Sequence, residues 1–384
     1  MKICLTANSS PWSRFKGGGQ IAVHHLACAL SRKGHEVHAV YSKSPNESLS
    51  PQVSYKIHWA RHHDFATVNL NFFSFARVLS PLAAKEKFDV IHGNAEEAYY
   101  AGDICQRNGA AFVFTSHAPS IPNTGMIRGM MNPLQFLKTV NTYLLRKTAG
   151  EAKRIITFSQ FSKNLVVDGL GQEWESRVEV IPPGIEASWF NMKRKSDSHR
   201  HLVFWGRIEE EKGLSELFQA VKTVSGKFPD LKLSVIGEGN RLEPYKKQVE
   251  ELGISSLVSF PGWMDTEQIQ ERVQGAGAAV FPSRVESFGL SVAEALAAGI
   301  PVIASRAGAI PDTVEDGRTG TLVPARDVDA LSKAITDCFV DPLKYEILAR
   351  QGKETARQKF SWDQSAEKTI EVYEKVRAAP GGKI

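Results

Sequence analysis

Residues 278–305 read AAVFPSRVESFGLSVAEALAAGIPVIAS. The stretch opens with a short apolar run that ends near Phe281, and it closes with the β-branched run PVIAS. Between these runs, apolar residues recur at helical spacing over 290–298, and Gly299 follows where a helix-ending glycine is expected. A strand, a helix and a second strand in this order predict a βαβ unit of a parallel sheet.

The alternation of short strands and helices extends on both sides of this unit. Runs rich in β-branched residues recur, and helix-period stretches such as residues 21–33 separate them. Gly34 follows that first helical stretch at the position of a C-cap glycine. We predict strands that begin at Lys2, Glu36, Val53, Asp89, Ala111, Arg154 and Val178, and again at His201, Leu231, Leu257, Ala278, Pro301 and Thr319.

This order of elements predicts an α/β protein with two Rossmann-like, doubly wound domains. Residues 191–200, NMKRKSDSHR, are polar and carry no apolar period, so we interpret them as a linker. The N-terminal domain then covers residues 1–190, and the C-terminal domain covers residues 201–360. Residues 361–384 contain one more amphipathic helix, which we expect to return to the N-terminal domain.

The composition fits this assignment and excludes several classes of protein. Of the 384 residues, 42% are hydrophobic and 23% are charged, which is typical of a soluble globular chain and not of a disordered, collagenous or coiled-coil one. The four cysteines lie far apart without a CxxC pair, which favours a reducing compartment over a disulfide framework or a zinc site. Neither a signal-peptide core nor a run of about 18 apolar residues occurs, so we expect a cytoplasmic protein.

Excess positive charge is concentrated in the first half of the chain. Residues 1–190 carry 20 Lys and Arg against 14 Asp and Glu, whereas the whole chain has a net charge of +5. This excess is either an ordinary solvated surface or a surface that meets an anionic partner, such as a phosphorylated acceptor or the inner face of the cell membrane. Residues 126–147 are apolar and basic without an acidic residue, so they form either a packed helix or a membrane-surface segment.

Two glutamates stand at informative positions in the opening stretch. Glu286 precedes the predicted helix and Glu294 lies in its second turn, with seven residues between them. The backbone N–H groups of residues 288–290, at the start of that helix, favour an anion such as phosphate. Carboxylates beside a phosphate site are suited to accept hydrogen bonds from hydroxyls, which indicates a sugar or a ribose. The alternative is a solvated Glu286 and a Glu294 that is paired on the helix face.

A second loop supplies positive charge. In GRIEEEKGLSEL, residues 206–217, Arg207 and Lys212 flank the turn between a predicted strand end and a predicted helix start. An Arg fork and a Lys point charge together are suited to a diphosphate. The alternative is that both residues are surface cations that pair with the glutamates at 209–211.

The N-terminal half contributes glycines and a histidine. Gly17, Gly18 and Gly19 follow the first strand and open the first helix, where the backbone can approach an anion closely. The alternative is a flexible turn. His117 lies two residues past the apolar run 111–115, where it either contacts a ligand hydroxyl, transfers a proton or has a structural role.

One pair of carboxylates has the spacing of metal ligands. Asp327 and Asp329 are two residues apart, as in many sites for divalent cations. They stand at the start of a predicted helix over 330–339, where Asp is favoured as an N-cap and as a partner of the helix dipole. We therefore interpret them as capping residues and predict no metal site.

Taken together, these motifs resemble those of the retaining glycosyltransferases of family 4, also called group 1, which have the GT-B fold of two Rossmann-like domains facing each other across a cleft. GRIEEEKGLSEL is similar to the G-R…K-G loop of that family, and residues 286–305 are similar to its E-x7-E signature. RAGAIPDTVEDGRTGTLV, residues 306–323, and GGGQIAVHHLACALSRKGHEV, residues 17–37, also resemble stretches of the family.

The resemblance implies glycosyl transfer from a UDP, GDP or ADP sugar to a sugar, lipid-linked or small-molecule acceptor. It also implies retention of anomeric configuration and no need for a metal ion or other cofactor. Arg207 and Lys212 would bind the diphosphate. Glu286 would hold the donor sugar, Glu294 would hold the ribose, and His117 would contact the donor sugar. The implied catalytic residues are His117, Glu286, Arg207 and Lys212, and the implied donor-binding residues are Gly17, Gly18, Gly237, Met264, Ser287, Phe288, Gly289, Leu290 and Glu294.

Two other functions fit the same architecture. A nucleotide-sugar epimerase would need acid and base carboxylates in the N-terminal half, where Glu96, Glu97 and Asp103 are the clustered candidates. A nucleotide-sugar-binding protein without catalysis is the second alternative. The presence of all the implied catalytic residues and of Glu294 argues against it. Aromatic residues are not interleaved with a basic stripe, so we expect no nucleic-acid partner.

Overall fold

Two parallel sheets form the cores of two structural units. The computed structural model describes residues 1–13, 18–43, 52–62, 71–117, 143–195 and 200–378. Unit 1 consists of Met1–Gly184 together with Trp362–Ile384. Unit 2 consists of Ile185–Ser361.

In the described residues, the sheet of unit 1 has seven strands. They are β1 (Lys2–Ala7), β2 (Glu36–Lys43), β3 (Lys56–Arg61), β4 (Val90–Gly93), β5 (Ala111–Ser116), β6 (Arg154–Thr157) and β7 (Val178–Val180). Their order in the sheet is β3-β2-β1-β4-β5-β6-β7, and all neighbouring pairs are parallel. The first helices of the unit are α1 (Gly18–Arg32), α2 (Asn71–Glu86), α3 (Ala101–Asn108), α4 (residues 143–150) and α5 (Gln160–Leu170).

Unit 2 repeats this plan, with six strands in the part of it that the structure describes. They are β8 (His201–Trp205), β9 (Lys232–Ile236), β10 (Val258–Gly262), β11 (Ala278–Phe281), β12 (Val302–Ser305) and β13 (Thr321–Val323), in the parallel order β10-β9-β8-β11-β12-β13. The helices are α6 (Ala187–Asn191), α7 (Leu214–Ser225), α8 (Leu242–Glu251), α9 (Thr266–Val273), α10 (Leu290–Ala298), α11 (Ile310–Thr313), α12 (Val328–Val340) and α13 (Pro342–Lys359).

The last helix, α14 (Trp362–Ala378), packs in unit 1 against α1 and β5. The Trp362 ring stacks on the His25 ring of α1 at 5.4 Å. The Tyr373 hydroxyl lies 2.6 Å from Nδ1 of His92, and both side chains are fully buried. The C-terminal segment is therefore part of the core of unit 1, although it follows the whole of unit 2 in the chain.

Strand β1 places successive side chains on opposite faces of its sheet, as the two-residue period of a strand requires. Ile3 and Leu5 lie in a core that also contains residues of α1 and α14. Cys4 lies in a second core that contains residues of α2, α3 and α5. Burial of each such Leu or Ile side chain contributes about 1.5–3 kcal/mol to the stability of the fold. Both faces of this strand are covered, which is why the apolar residues Ile3, Cys4 and Leu5 follow one another instead of alternating with polar ones.

The positions of strands and helices confirm most of the sequence predictions. All thirteen predicted strands are present, and the fold has the two doubly wound sheets that we expected. Gly34 ends α1 in the left-handed conformation, with φ of 84°. The Asp327 carboxylate accepts a hydrogen bond of 2.8 Å from the Ala330 N–H, so its capping role is also confirmed.

The predicted linker is wrong. The units divide between Gly184 and Ile185 and again between Ser361 and Trp362, not over residues 191–200. Lys195 donates its backbone N–H to the Gln274 carbonyl oxygen at 2.8 Å, and the Arg194 guanidinium donates to the Ala276 carbonyl oxygen. These bonds hold the described part of the polar stretch on unit 2. Polarity alone did not distinguish a surface segment bonded to a domain from a free connection.

Two further predictions concern the membrane. Of the basic stretch over residues 126–147, residues 126–142 lie outside the described residues, and the remainder begins α4. Among the helices that the structure describes, none is both long enough and apolar enough to cross a membrane.

We predict that Tyr373→Phe lowers the free energy of unfolding by about 1–3 kcal/mol, because it leaves Nδ1 of the buried His92 without its hydrogen-bond partner. Urea denaturation measures this difference. Tyr143→Phe removes a hydroxyl from an exposed side chain of the same unit and is the matched control. Equal effects of the two substitutions would contradict a structural role for the His92–Tyr373 bond.

Candidate active site

The carboxyl ends of the strands in unit 2 bring several predicted site residues together. Ligands of α/β proteins bind at this edge, because loops and helix N-termini converge there. The N–H of Gly237, after β9, donates to the carbonyl oxygen of Gly262, which ends β10, at 2.9 Å. Met264 follows two residues later and is partly buried. Gly237 and the loop that carries Met264, both implied donor-binding residues, therefore lie side by side.

Lys212 and Glu286 form the centre of the site. The Lys212 Nζ forms an ion pair with the Glu286 Oε1, and each side chain is 16% exposed. The Ser283 hydroxyl donates to the same carboxylate oxygen at 3.2 Å. The predicted phosphate-binding cation and the predicted sugar-binding carboxylate thus occupy one place, after β8 and β11.

A close approach of two backbones holds these loops together. Gly213 has a φ of 66°, and a Cβ atom at this position would overlap the carbonyl oxygen of Pro282. Glycine is therefore required at the start of α7, directly after Lys212. The Arg284 N–H donates to the Glu211 carbonyl oxygen at 2.7 Å, and the Arg284 guanidinium pairs with the carboxylate of Glu216 at 2.8 Å. The loop that carries Lys212 is consequently fixed to the loop that carries Glu286.

Helix α10 begins immediately after this pair. Its N-cap is Gly289, with φ of 84°, and the first bond of the helix runs from the Ala293 N–H to the Gly289 carbonyl oxygen. The Phe288 ring is buried edge-to-face against Phe360, at 5.5 Å between ring centres. The predicted donor-binding residues 287–290 therefore form the entry to the helix beside Glu286, where N–H groups of a first helical turn favour an anion.

Glu294 lies one turn further along α10 and is mostly buried. Its Oε2 accepts a hydrogen bond of 2.7 Å from Nε1 of Trp205, and the Trp205 ring stacks on Trp189 at 5.6 Å. Burial raises the pKa of Glu294 to about 7, against the opposing effect of the Trp205 hydrogen bond, and the charge of Glu186 raises it further. This carboxyl group is held rigidly and is only partly ionised near neutral pH.

Arg207 differs from the other predicted cation. Its side chain is 71% exposed, and its guanidinium lies 3.4 Å from a carboxylate oxygen of Glu211. For Arg207 the structure shows the surface pairing that the sequence left as an alternative, whereas Lys212 pairs across the site instead of with a neighbouring glutamate.

In unit 1, His117 follows the carboxyl end of β5. Its Nε2 lies 3.0 Å from Oδ1 of Asn94, and its ring meets Phe158 edge-to-face at 5.0 Å. Burial lowers the pKa of His117 to about 4, so the ring is neutral at pH 7. Gly18 is the first residue of α1, and Gly17 lies outside the described residues.

Sequence reasoning missed several polar partners in these sites. Ser283 and Trp205 hold the two signature glutamates, and Asn94 holds His117. Each of the three lies at or just after a strand end, which is the signal that could have identified them. Glu97, an epimerase candidate, is buried, whereas Asp103 is exposed in the first turn of α3.

One group of side chains in the described residues has the geometry of metal ligands. Ligand atoms of Glu36, His38 and Glu86 lie within 4.8 Å of one another. Lys56 contacts Glu36 at 2.7 Å and Lys2 contacts Glu86 at 2.9 Å, so lysines neutralise both carboxylates. This group lies at the amino ends of β1 and β2, the opposite edge of the sheet from His117.

Models of two related families match nearly the whole chain. The model of Glycosyltransferase Family 4 matches residues 16–189, and the model of Glycosyl transferases group 1 matches residues 186–358. The chain belongs to the group 1 glycosyltransferases. The predicted resemblance is thereby confirmed, and the two matched regions meet close to the division between unit 1 and unit 2.

Individual relatives and solved structures agree with this assignment. Glycogen synthase of Mycobacterium tuberculosis is 27% identical over 383 residues, covering 93% of this chain and 91% of that protein. Sucrose-phosphate synthase of Thermosynechococcus elongatus has a TM-score of 0.84 at 22% identity, covering 99% of this glycosyltransferase and 100% of that chain. Anabaena HepE in complex with UDP-glucose has a TM-score of 0.75 at 19% identity, covering 97% and 99%. The fold is that of the GT-B glycosyltransferases.

We predict that the free energy of unfolding of the unmodified protein falls as pH rises, because of Glu294, and that Glu294→Gln abolishes this fall. An acid whose pKa is about 7 in the folded chain and 4.5 in the unfolded chain loses its proton first from the unfolded chain. The free energy of unfolding therefore falls as pH rises from about 4.5 to about 7. The Gln variant, which keeps an acceptor for Trp205, should gain on the order of 3 kcal/mol over the unmodified protein between about pH 4 and pH 8.

Urea denaturation at a series of pH values measures this gain. Glu243→Gln, which removes a carboxylate that is 77% exposed on α8, is the control. A difference between Glu294→Gln and the unmodified protein that stays constant with pH would contradict the raised pKa.

Proposed function

We propose that this glycosyltransferase moves a sugar from a nucleotide diphosphate sugar to a hydroxyl of a sugar, lipid-linked or small-molecule acceptor. In this proposal the anomeric configuration is retained and no metal ion takes part. The observation that carries it is the Lys212–Glu286 pair beside the first turn of α10. HepE, which shares the fold, is in complex with UDP-glucose, and a relative from Mycolicibacterium smegmatis is named as a GDP-mannose-dependent mannosyltransferase; these support a UDP or GDP sugar as the donor.

Lys212 is the residue that we assign to the leaving diphosphate. Negative charge develops on the phosphate oxygen as the bond to the sugar breaks, and a positioned cation stabilises it. Backbone N–H groups at the start of α10 act on the same charge. Arg207, on the same loop, adds a second positive charge from the solvent side. Lysine, arginine and Mg²⁺ can each stabilise negative charge on phosphate oxygens, so in this proposal these groups take the place of a metal ion.

The two signature glutamates would hold hydroxyl groups of the donor. Glu286 accepts hydrogen bonds from Ser283 and Lys212, and sugar hydroxyls are donors that a carboxylate can bind in the same way. The Trp205 N–H occupies Oε2 of Glu294, which leaves Oε1 for a ribose hydroxyl. His117, as a neutral ring, would contact a hydroxyl of the donor sugar rather than its diphosphate.

Donor class and metal dependence can be tested together in a thermal-shift series with UDP, GDP, ADP and their common sugars, with and without EDTA. We expect one nucleotide to stabilise the protein, because a ligand at 100 times its Kd adds about 2.7 kcal/mol. EDTA should leave the shift unchanged. A shift that EDTA abolishes would contradict metal independence, and no shift with any nucleotide would contradict the proposed donor.

We also predict that Lys212→Ala and Glu286→Ala each lower kcat/KM for glycosyl transfer by about 100-fold or more. Initial rates with the nucleotide sugar selected by thermal shift measure the loss. Lys246→Ala, which removes an exposed lysine of the same unit that pairs with Glu243, is the control. Turnover close to that of the unmodified protein would remove the assigned role of the substituted residue.

The products of the same assay separate the alternatives and test retention. A transferase releases free nucleotide diphosphate and forms a glycoside, whose anomeric configuration NMR reads directly. An epimerase returns an intact nucleotide sugar with one inverted carbon. A binding protein without catalysis gives a thermal shift and no turnover.

A further inference from the structure

His117 and Asn94 meet at the carboxyl ends of two neighbouring strands. Asn94 follows β4, His117 follows β5, and these strands pair in parallel register. The His117 Nε2 lies 3.0 Å from the Asn94 Oδ1, and the Asn94 side chain is almost completely buried. A side-chain pair in this position can determine which ring nitrogen of the histidine carries the proton.

The orientation of the Asn94 amide is set by a second hydrogen bond. Its Nδ2 lies 2.8 Å from the backbone carbonyl oxygen of Thr6, at the end of β1. A carbonyl oxygen can only accept, so the NH₂ group must face Thr6 and the amide oxygen must face His117. The Asn94 oxygen in turn can only accept, so His117 donates from Nε2.

A buried carboxyl group fixes the backbone that carries Asn94. Glu97, at 2% exposure, accepts hydrogen bonds at Oε1 from the Thr6 hydroxyl at 2.8 Å and from the N–H groups of Asn94 and Ala95, both at 3.2 Å. Three donors on one carboxylate oxygen leave the loop little freedom to rotate. Thr6 therefore fixes the side-chain amide of Asn94, and Glu97 fixes the backbone that carries it.

The other ring nitrogen of His117 faces the start of α1. A Cβ atom placed on Gly19 would lie 3.5 Å from Nδ1 of His117. His117 and Asn94 also line a cavity of unit 1, together with Val23 of α1. A neutral imidazole with its proton on Nε2 presents Nδ1 as a hydrogen-bond acceptor.

We propose that Asn94 is a positioning residue that holds His117 in the Nε2–H tautomer, so that Nδ1 accepts a hydrogen bond from a substrate hydroxyl. This inference rests on the proposed function, which supplies a sugar substrate with such hydroxyls. An acceptor nitrogen repels the oxygens of an ionised phosphate, so the tautomer selects a hydroxyl donor at this place. Asn94 acts through His117 and does not itself need to touch the substrate.

The tautomer can be measured directly by nitrogen NMR of the ligand-free protein with isotope-labelled histidine. Comparison with His117→Gln assigns the His117 signals among the 11 histidines. We expect a protonated Nε2 and an unprotonated Nδ1 at pH 7. A proton on Nδ1, or a doubly protonated ring, would overturn the proposal. This measurement needs neither activity nor an Asn94 variant, so it decides the tautomer even where glycosyl transfer is not detected.

A double-mutant cycle tests whether Asn94 acts through His117. We expect Asn94→Ala to lower kcat about tenfold or more, with KM for the donor changed less than about twofold. In a His117→Ala background the same substitution should lower kcat by less than about twofold. An equal loss in both backgrounds would show a purely structural role and overturn the proposal.

Asn108→Ala is the matched control for this cycle. Its amide donates to the Ile104 carbonyl oxygen at 2.8 Å in the same unit, away from the strand ends that carry His117. We expect it to leave kcat unchanged in both backgrounds. If the unmodified protein transferred sugar from none of the tested nucleotide sugars, this would count against the proposed function. The NMR spectrum would still show whether His117 carries its proton on Nε2.

Discussion

Parallel strand pairing is the constraint on which the rest of this structure depends. In unit 1, β1 pairs with β2 on one side and β4 on the other, and in unit 2, β8 lies between β9 and β11. The central strands are buried on both faces, and burying a polar side chain there costs free energy. Long polar side chains are therefore found mainly where the strands end. The carboxyl ends of neighbouring parallel strands lie at one edge, and there both units gather their polar groups: Asn94, Glu97 and His117 in one, and Lys212, Glu286 and Glu294 in the other.

Each unit places a buried carboxyl group at that edge. Burial raises the pKa of Glu97 and of Glu294 to about 7, and donors on neighbouring segments hold both groups. Thr6 and backbone N–H groups bind Glu97, and the Trp205 indole binds Glu294. A carboxyl group in such a place costs desolvation energy, which its hydrogen bonds partly offset. What the arrangement provides is fixed geometry, since the loops around these groups cannot move without breaking buried hydrogen bonds.

The sequence predicted the elements well and the site contacts poorly, for one physical reason. A strand or helix is dictated by the pattern of neighbouring residues, and GRIEEEKGLSEL and residues 286–305 carry that pattern locally. The contacts of the site join residues far apart: Lys212 and Glu286 are 74 positions apart, and Trp205 and Glu294 are 89. A single sequence contains no signal that would select these partners among the many polar residues after strand ends.

By itself the sequence determined the two α/β sheets, the order of their strands and helices along the chain, the family and the segments that contain the candidate site, because hydrophobic period and short motifs are local properties. Tertiary structure alone decided which cation pairs with Glu286, which amide holds His117, and that the polar stretch at 191–200 is bonded to unit 2 in its described part. These choices depend on the packing of loops that only the finished sheets bring within hydrogen-bond distance. A contact of 3 Å is a property of the folded chain, whereas the pattern that forms a strand is already present in the unfolded one.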